Sequence, residues 1–79
     1  MKIESLRRKR LVNEISGDAL RHEAGIHPTR LSRLERGSIP PTPGELERID
    51  AAIERILSAR ERLKRLAADA GLSLTGVRF

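Results

Sequence analysis

The spacing of apolar residues divides the chain into four stretches of helical period, separated by turn residues. Ile3 and Leu6 share one face of a first segment that runs to about Asn13, and Arg and Lys fill much of the rest. Asn13 is placed to end it, because asparagine tolerates the left-handed conformation. Ser16 reads as an N-cap for a helix over Gly17–Ala24, its hydroxyl accepting from a free amide of the next turn. Asp18 sits in that first turn, where a negative charge suits the helix dipole. Ala19, Leu20 and Ala24 supply the inner side, Gly25 stops the helix, and the apolar Ile26 is predicted to be buried. Pro28 opens a third helix that reaches about Arg36. Leu31 and Leu34 face inward on it, while Thr29, Arg30, Ser32, Arg33 and Arg36 lie elsewhere, and Gly37 ends it. Residues 38–43, Ser-Ile-Pro-Pro-Thr-Pro, form a stiff non-helical loop.

Thr42-Pro43-Gly44-Glu45 is a fourth start signal, with Thr42 as cap and Glu45 as the reciprocal partner of a capping box. From Glu45 to Ala70 there is neither Gly nor Pro. Leu46, Ile49, Ile53, Ile56, Leu63, Ala67 and Ala70, with Arg60 in the same series, step by three and four, the mark of a packing seam. Ala52, Leu57, Ala59 and Leu66 widen the stripe. A continuous helix here is about 40 Å long at roughly 1.5 Å per residue, longer than a domain this small needs. Ser58-Ala-Arg-Glu61 also fits a capping box, which leaves two helices breaking near Ser58 as the alternative. Gly71 ends the stretch, and Leu72–Phe79 fits either a short strand or a frayed end. The expected division is a domain over 1–55 and an extension over 56–79. An apolar stripe that outruns its domain predicts a homodimer, with Ile56, Leu57, Leu63, Leu66 and Ala67 at the interface and Arg60 setting register, the alternative being that some of these leucines fold back on the first helix.

Composition narrows the chemistry. The chain has no cysteine, which excludes a disulfide framework and a cysteine-based zinc site. His22 and His27 point to different faces if both are helical, and a turn is predicted between them, so no metal site is expected. There is no nucleophile–base constellation, no phosphate loop following a strand and no cofactor motif, so no enzyme is expected. No uncharged run is long enough to span a bilayer, and no apolar run follows Met1 as an export signal would. The expected location is therefore the cytoplasm. The net charge of +5 is uneven: residues 1–40 carry nine Lys/Arg against five Asp/Glu, and residues 41–79 seven against six. A basic first half predicts a polyanionic partner. With Phe79 the only aromatic residue, stacking of single-stranded bases is disfavoured and duplex DNA remains open.

Residues 16–37 thus read as a capped helix, a tight turn at Gly25 and a second short helix rich in Arg, the grammar of a helix-turn-helix. Leu6 to Ile53, about 48 residues, resembles the lambda-repressor/Cro-type (XRE) helix-turn-helix family. The resemblance rests on Leu20, Gly25-Ile26, Leu31, Leu34, Glu35, Gly37, Pro41, Leu46, Ile49 and Ile53. It implies an all-α fold, a four- to five-helix lambda-repressor-like DNA-binding domain with a long C-terminal helix. It also implies a partly buried salt bridge between Arg10 and Glu35. Base reading is assigned by resemblance to Pro28, Thr29, Ser32 and Arg33, with Arg30 touching base or phosphate. Arg36, Ser38 and the Gly17 amide are assigned to phosphates. Three positions depart from the family pattern: Arg21 replaces the usual Ala, Gly17 a frequent Gln, and Glu14 a frequent Gly. The last departure predicts a first turn built differently. The function implied is that of a phage or bacterial transcriptional repressor binding an inverted repeat of double-stranded DNA. An antitoxin that holds a toxin protein and represses its own operon is the alternative, and a structural helical adaptor is the third reading.

Overall fold

The chain is seen here as a computed structural model describing residues 1–70. Among them are four helices and no strand: α1 (Ile3–Val12), α2 (Gly17–Ala24), α3 (Pro28–Glu35) and α4 (Pro43–Asp69). Gly71 and the Leu72–Phe79 tail lie outside the described residues.

The starts of α2 and α4 follow from short side chains that satisfy free amides. Ser16 Oγ accepts from the Ala19 amide at 3.0 Å. Thr42 Oγ1 accepts from the Glu45 amide at 3.1 Å, and a Glu45 carboxylate oxygen accepts from the Thr42 amide at 3.0 Å, completing the capping box. At α3 the cap is His27, whose Nδ1 accepts from the Thr29 amide ahead of Pro28 at the first helical position.

The first three helices end alike. The amides of Glu14, Gly25 and Gly37 bond back to the carbonyls of Leu11, His22 and Leu34. The next amides, of Ile15, Ile26 and Ser38, reach the carbonyls of Arg10, Arg21 and Arg33. This paired cap needs a residue at positive φ, and the three values are 53°, 68° and 76°. The left-handed residue after α1 is therefore Glu14, and not Asn13, which stays at φ −91°. Asn13 instead uses its side-chain amide on the Lys9 carbonyl at 2.8 Å, closing the last turn and moving the reversal one residue on. The turn that was expected to be built differently is built like the others, with Glu14 bearing a conformational cost of about 1–2 kcal/mol. The residue after the reversal is buried in the first two caps, Ile15 and Ile26, and is the exposed Ser38 in the third.

The core forms where α4 meets the other helices. Ile49, Ala52, Ile53 and Ile56 of α4 close over Ile3 and Leu6 of α1, Leu20 and Ala24 of α2, and Leu31 and Leu34 of α3. Packing of α2 on α4 is the most extensive of the helix pairs. Ile15, which has no place in the helical stripes, is among the most deeply buried side chains.

α4 runs 27 residues without interruption through Ser58, so the two-helix alternative does not occur. Amides inside an unbroken helix already have carbonyl partners one turn back and leave nothing for a Ser58 cap to satisfy. The division expected after residue 55 likewise falls inside this helix. Ile56 is buried, Leu57 packs against the core, and Arg60 donates to the Asn13 and Glu14 carbonyls at the end of α1.

Two apolar residues three apart should therefore differ sharply on truncation. Ile15 is 2% exposed and Val12 is 75% exposed. Ile15→Ala should cost about 2–4 kcal/mol in urea unfolding, against roughly 0.5 or less for Val12→Ala. Equal costs would show that the turn after α1 does not carry the core as described.

Candidate nucleic-acid interface

At about 100° per residue, the direction midway between buried Leu31 and Leu34 fixes the outward direction of α3. Thr29 and Arg36 lie almost opposite the core, flanked by Ser32 and Arg33. All four are exposed. Glu35 falls on the flank toward α1, and Arg30 on the flank toward α4. Pro28 falls on the α2 side, at an open recess lined also by Gly17, Asp18, Arg21 and Ser32.

Charged groups on the two flanks are tied within the molecule. Arg10 grips Glu35 through Nε–Oε2 at 2.9 Å and Nη2–Oε1 at 2.6 Å. Its remaining Nη1 donates to the Ile15 carbonyl at 2.9 Å. The two side chains are 12% and 11% exposed, the partly buried pair that the resemblance implied. On the other flank Arg30 holds both oxygens of Glu45, by an Nε–Oε2 contact and an Nη2–Oε1 bond of 2.7 Å. Arg30, expected at base or phosphate, is thus ion-paired to Glu45 through Nε and Nη2, with its side chain 45% exposed. In contrast, Arg33 and Arg36 form no ion pair with a described residue.

The bidentate Arg30 guanidinium, joined by the Thr42 amide, holds the Glu45 carboxyl at about 2, well below the usual carboxylate range. Glu45 is the buried charged residue among those described, 8% exposed, and both of its oxygens accept hydrogen bonds.

The other predicted residues separate clearly. Ser38, just past Gly37, is exposed. Gly17 begins α2, where its amide has no carbonyl one turn back to bond. A side-chain carbon at Gly17 would meet the Arg10 guanidinium at 4.0 Å, ordinary contact distance. Arg21, which departs from the Ala that the resemblance implies, turns back along α2 to Asp18, with bonds of 3.0 and 2.9 Å, and lines the recess at Pro28. His22 is exposed, and among the described residues no cluster of metal-ligating side chains occurs. No described helix is long and apolar enough to cross a membrane.

The residues expected at a dimer interface divide into two groups. Ile56 and Leu57 belong to the core of one chain, and Arg60 spends its guanidinium on α1. Ala67 is buried. Leu63 and Leu66 remain, 38% and 65% exposed on the part of α4 that runs past Arg60. Comparison with family models, curated proteins and solved structures finds no match for this chain.

Sequence reading passed over Ile15, the His27 cap and the partners of Arg30 and Arg60. Only His27 had a local signal, a side-chain acceptor directly before Pro28.

A depressed carboxyl stabilises the fold above its unfolded value and loses that contribution as pH falls through its folded value. For Glu45 the window runs from about 4.5 down to about 2. Glu45→Gln keeps an acceptor for the Thr42 amide and removes the charge. Its melting temperature should therefore fall less steeply than that of the parent between those pH values. Parallel pH profiles would show that the Arg30–Glu45 pair does not contribute to stability.

Proposed function

We propose that this protein is a sequence-specific duplex-DNA-binding transcriptional regulator, a repressor of the lambda-repressor/Cro-type helix-turn-helix kind. The observation that carries the reading is the outer face of α3. It presents Thr29, Ser32, Arg33 and Arg36 together, and its two arginines have no described ion-pair partner, whereas Arg10 and Arg30 at the flanks do. A short helix so charged, held by a three-residue turn against a capped helix, suits insertion in the major groove.

Within this reading Arg33 grips a guanine edge in bidentate fashion and Thr29 touches a thymine methyl. Arg36, Ser38 and the Gly17 amide take phosphates and set the register. The protein acts as a homodimer through Leu63 and Leu66, whose exposure beyond the core supports a protein partner. Two recognition helices related by a twofold axis read an inverted repeat with half-sites about one helical turn apart, or a multiple of it.

Selection of bound duplexes from a random pool tests the reading directly: an inverted-repeat consensus should emerge. Arg33→Ala should then relax preference at one base pair per half-site, a loss of about 1–3 kcal/mol in discrimination. Arg36→Ala should weaken all sequences alike and lower the log–log salt slope by about 0.9 per half-site. If both variants scale every site equally, Arg33 does not read a base.

Leu63→Glu with Leu66→Glu should give a folded monomer in sedimentation, with greatly weakened binding to the full inverted repeat and little change on a half-site. The doubly substituted chain remaining a dimer with normal binding would place the interface elsewhere.

A further inference from the structure

Arg30 is the first of three arginines in the α3 segment, yet its guanidinium lies on the flank and not on the outer face. Both of its hydrogen-bonded nitrogens go to one carboxylate. That carboxylate is immobilised from its own side: Glu45 is buried, and the capping box fixes its backbone and one of its oxygens to Thr42. The acceptor therefore does not swing out with the arginine. To reach a phosphate with these nitrogens, Arg30 must leave a docked partner and expose a buried carboxylate that has lost its cation.

We propose that Glu45 is a specificity-determining residue, which withholds Arg30 from the duplex and so leaves recognition to the outer face of α3. This rests on the DNA-binding reading above. A cation freed at this flank would grip phosphate without regard to sequence, raising affinity for every duplex and narrowing the margin between correct and incorrect sites. Glu45 thus does two jobs at once: it caps α4 and neutralises the arginine that would otherwise blur the readout. Glu35 disposes of Arg10 on the opposite flank in the same way.

The experiment compares the parent, Arg30→Ala, Glu45→Gln and the double variant on two probes, a duplex selected from a random pool and a short random-sequence duplex. Circular dichroism checks that each variant is folded at the assay temperature. Arg30→Ala should change affinity for either probe less than about twofold. Glu45→Gln should bind the random-sequence duplex about three- to tenfold more tightly, with a salt slope steeper by about 0.9 for each freed cation. In the double variant both gains should vanish, because Arg30 is their source. Clear weakening by a folded Arg30→Ala, on either probe, would overturn the inference by showing that Arg30 touches DNA while paired. Unchanged random-duplex affinity in a folded Glu45→Gln would overturn it equally. If Glu45→Gln does not fold, Arg30→Ala alone decides. A parent chain that binds neither probe defeats the DNA-binding reading itself, and is told apart from these outcomes before any variant is made.

Discussion

The Arg10 guanidinium joins three parts of the chain that no stretch of continuous backbone holds together. Two of its nitrogens close on Glu35 at the end of α3, and the third meets the Ile15 carbonyl in the turn between α1 and α2. α1, the entry to α2 and the exit of α3 are thereby set against one another by one side chain. Glu35 lies in the last turn of its helix, where the dipole disfavours a carboxylate, so Arg10 also removes a local penalty. The pair need not add net stability, since burying two charges costs about as much as their attraction returns. What it adds is direction: a planar fork accepts one arrangement of the three segments, where apolar contacts accept many.

Arg30–Glu45 is the counterpart on the other side of α3. The two pairs fasten the helix at opposite flanks, one to α1 and one to the start of α4, while Leu31 and Leu34 anchor it below. A helix of eight residues is too short to be stable by itself in water. Fixed on three sides, it presents its fourth side in a single orientation. That side carries Arg33 and Arg36, which have no described ion-pair partner, so the pairing separates the arginines around α3 into those that fasten it and those that it presents.

What the sequence made legible was local. Ser16, Gly25, Pro28, Thr42 and Glu45 each act within one turn of their own position, and the helix boundaries they mark appear within a residue or so. The Leu31/Leu34 pair fixes which face of α3 is outward: Thr29, Ser32 and Arg33 of the expected base readers lie there beside Arg36, while Pro28 lies on the α2 side. Features that depend on distant partners were not visible in this way. Ile15 lies in a turn, outside any periodic stripe, and is buried because the Glu14 reversal aims it at the core. Arg30 and Arg60 look like any solvated arginine until the fold brings Glu45 and the end of α1 beside them. Arg60 falls on the α4 stripe because it serves α1 of its own chain. Spacing alone assigns the same position to a seam between two chains.

An unbroken α4 changes what oligomerisation would mean. Its first half closes the core, Arg60 ties its middle to the α1–α2 turn, and Leu63 and Leu66 stand beyond. Because the same helix carries core and overhang, a partner bound at Leu63 and Leu66 is placed relative to α3 by rigid geometry. A flexible joint at Ser58 would have left the separation of two recognition helices adjustable, and half-site spacing with it. With Arg60 locking the end of α1 to the helix that leads into the overhang, the proposed dimer would have its half-site spacing set by the fold. Under the proposed function, specificity then resides in two independent places. Individual bases are read by the cleared face of α3, and the distance between the two readings is set by α4.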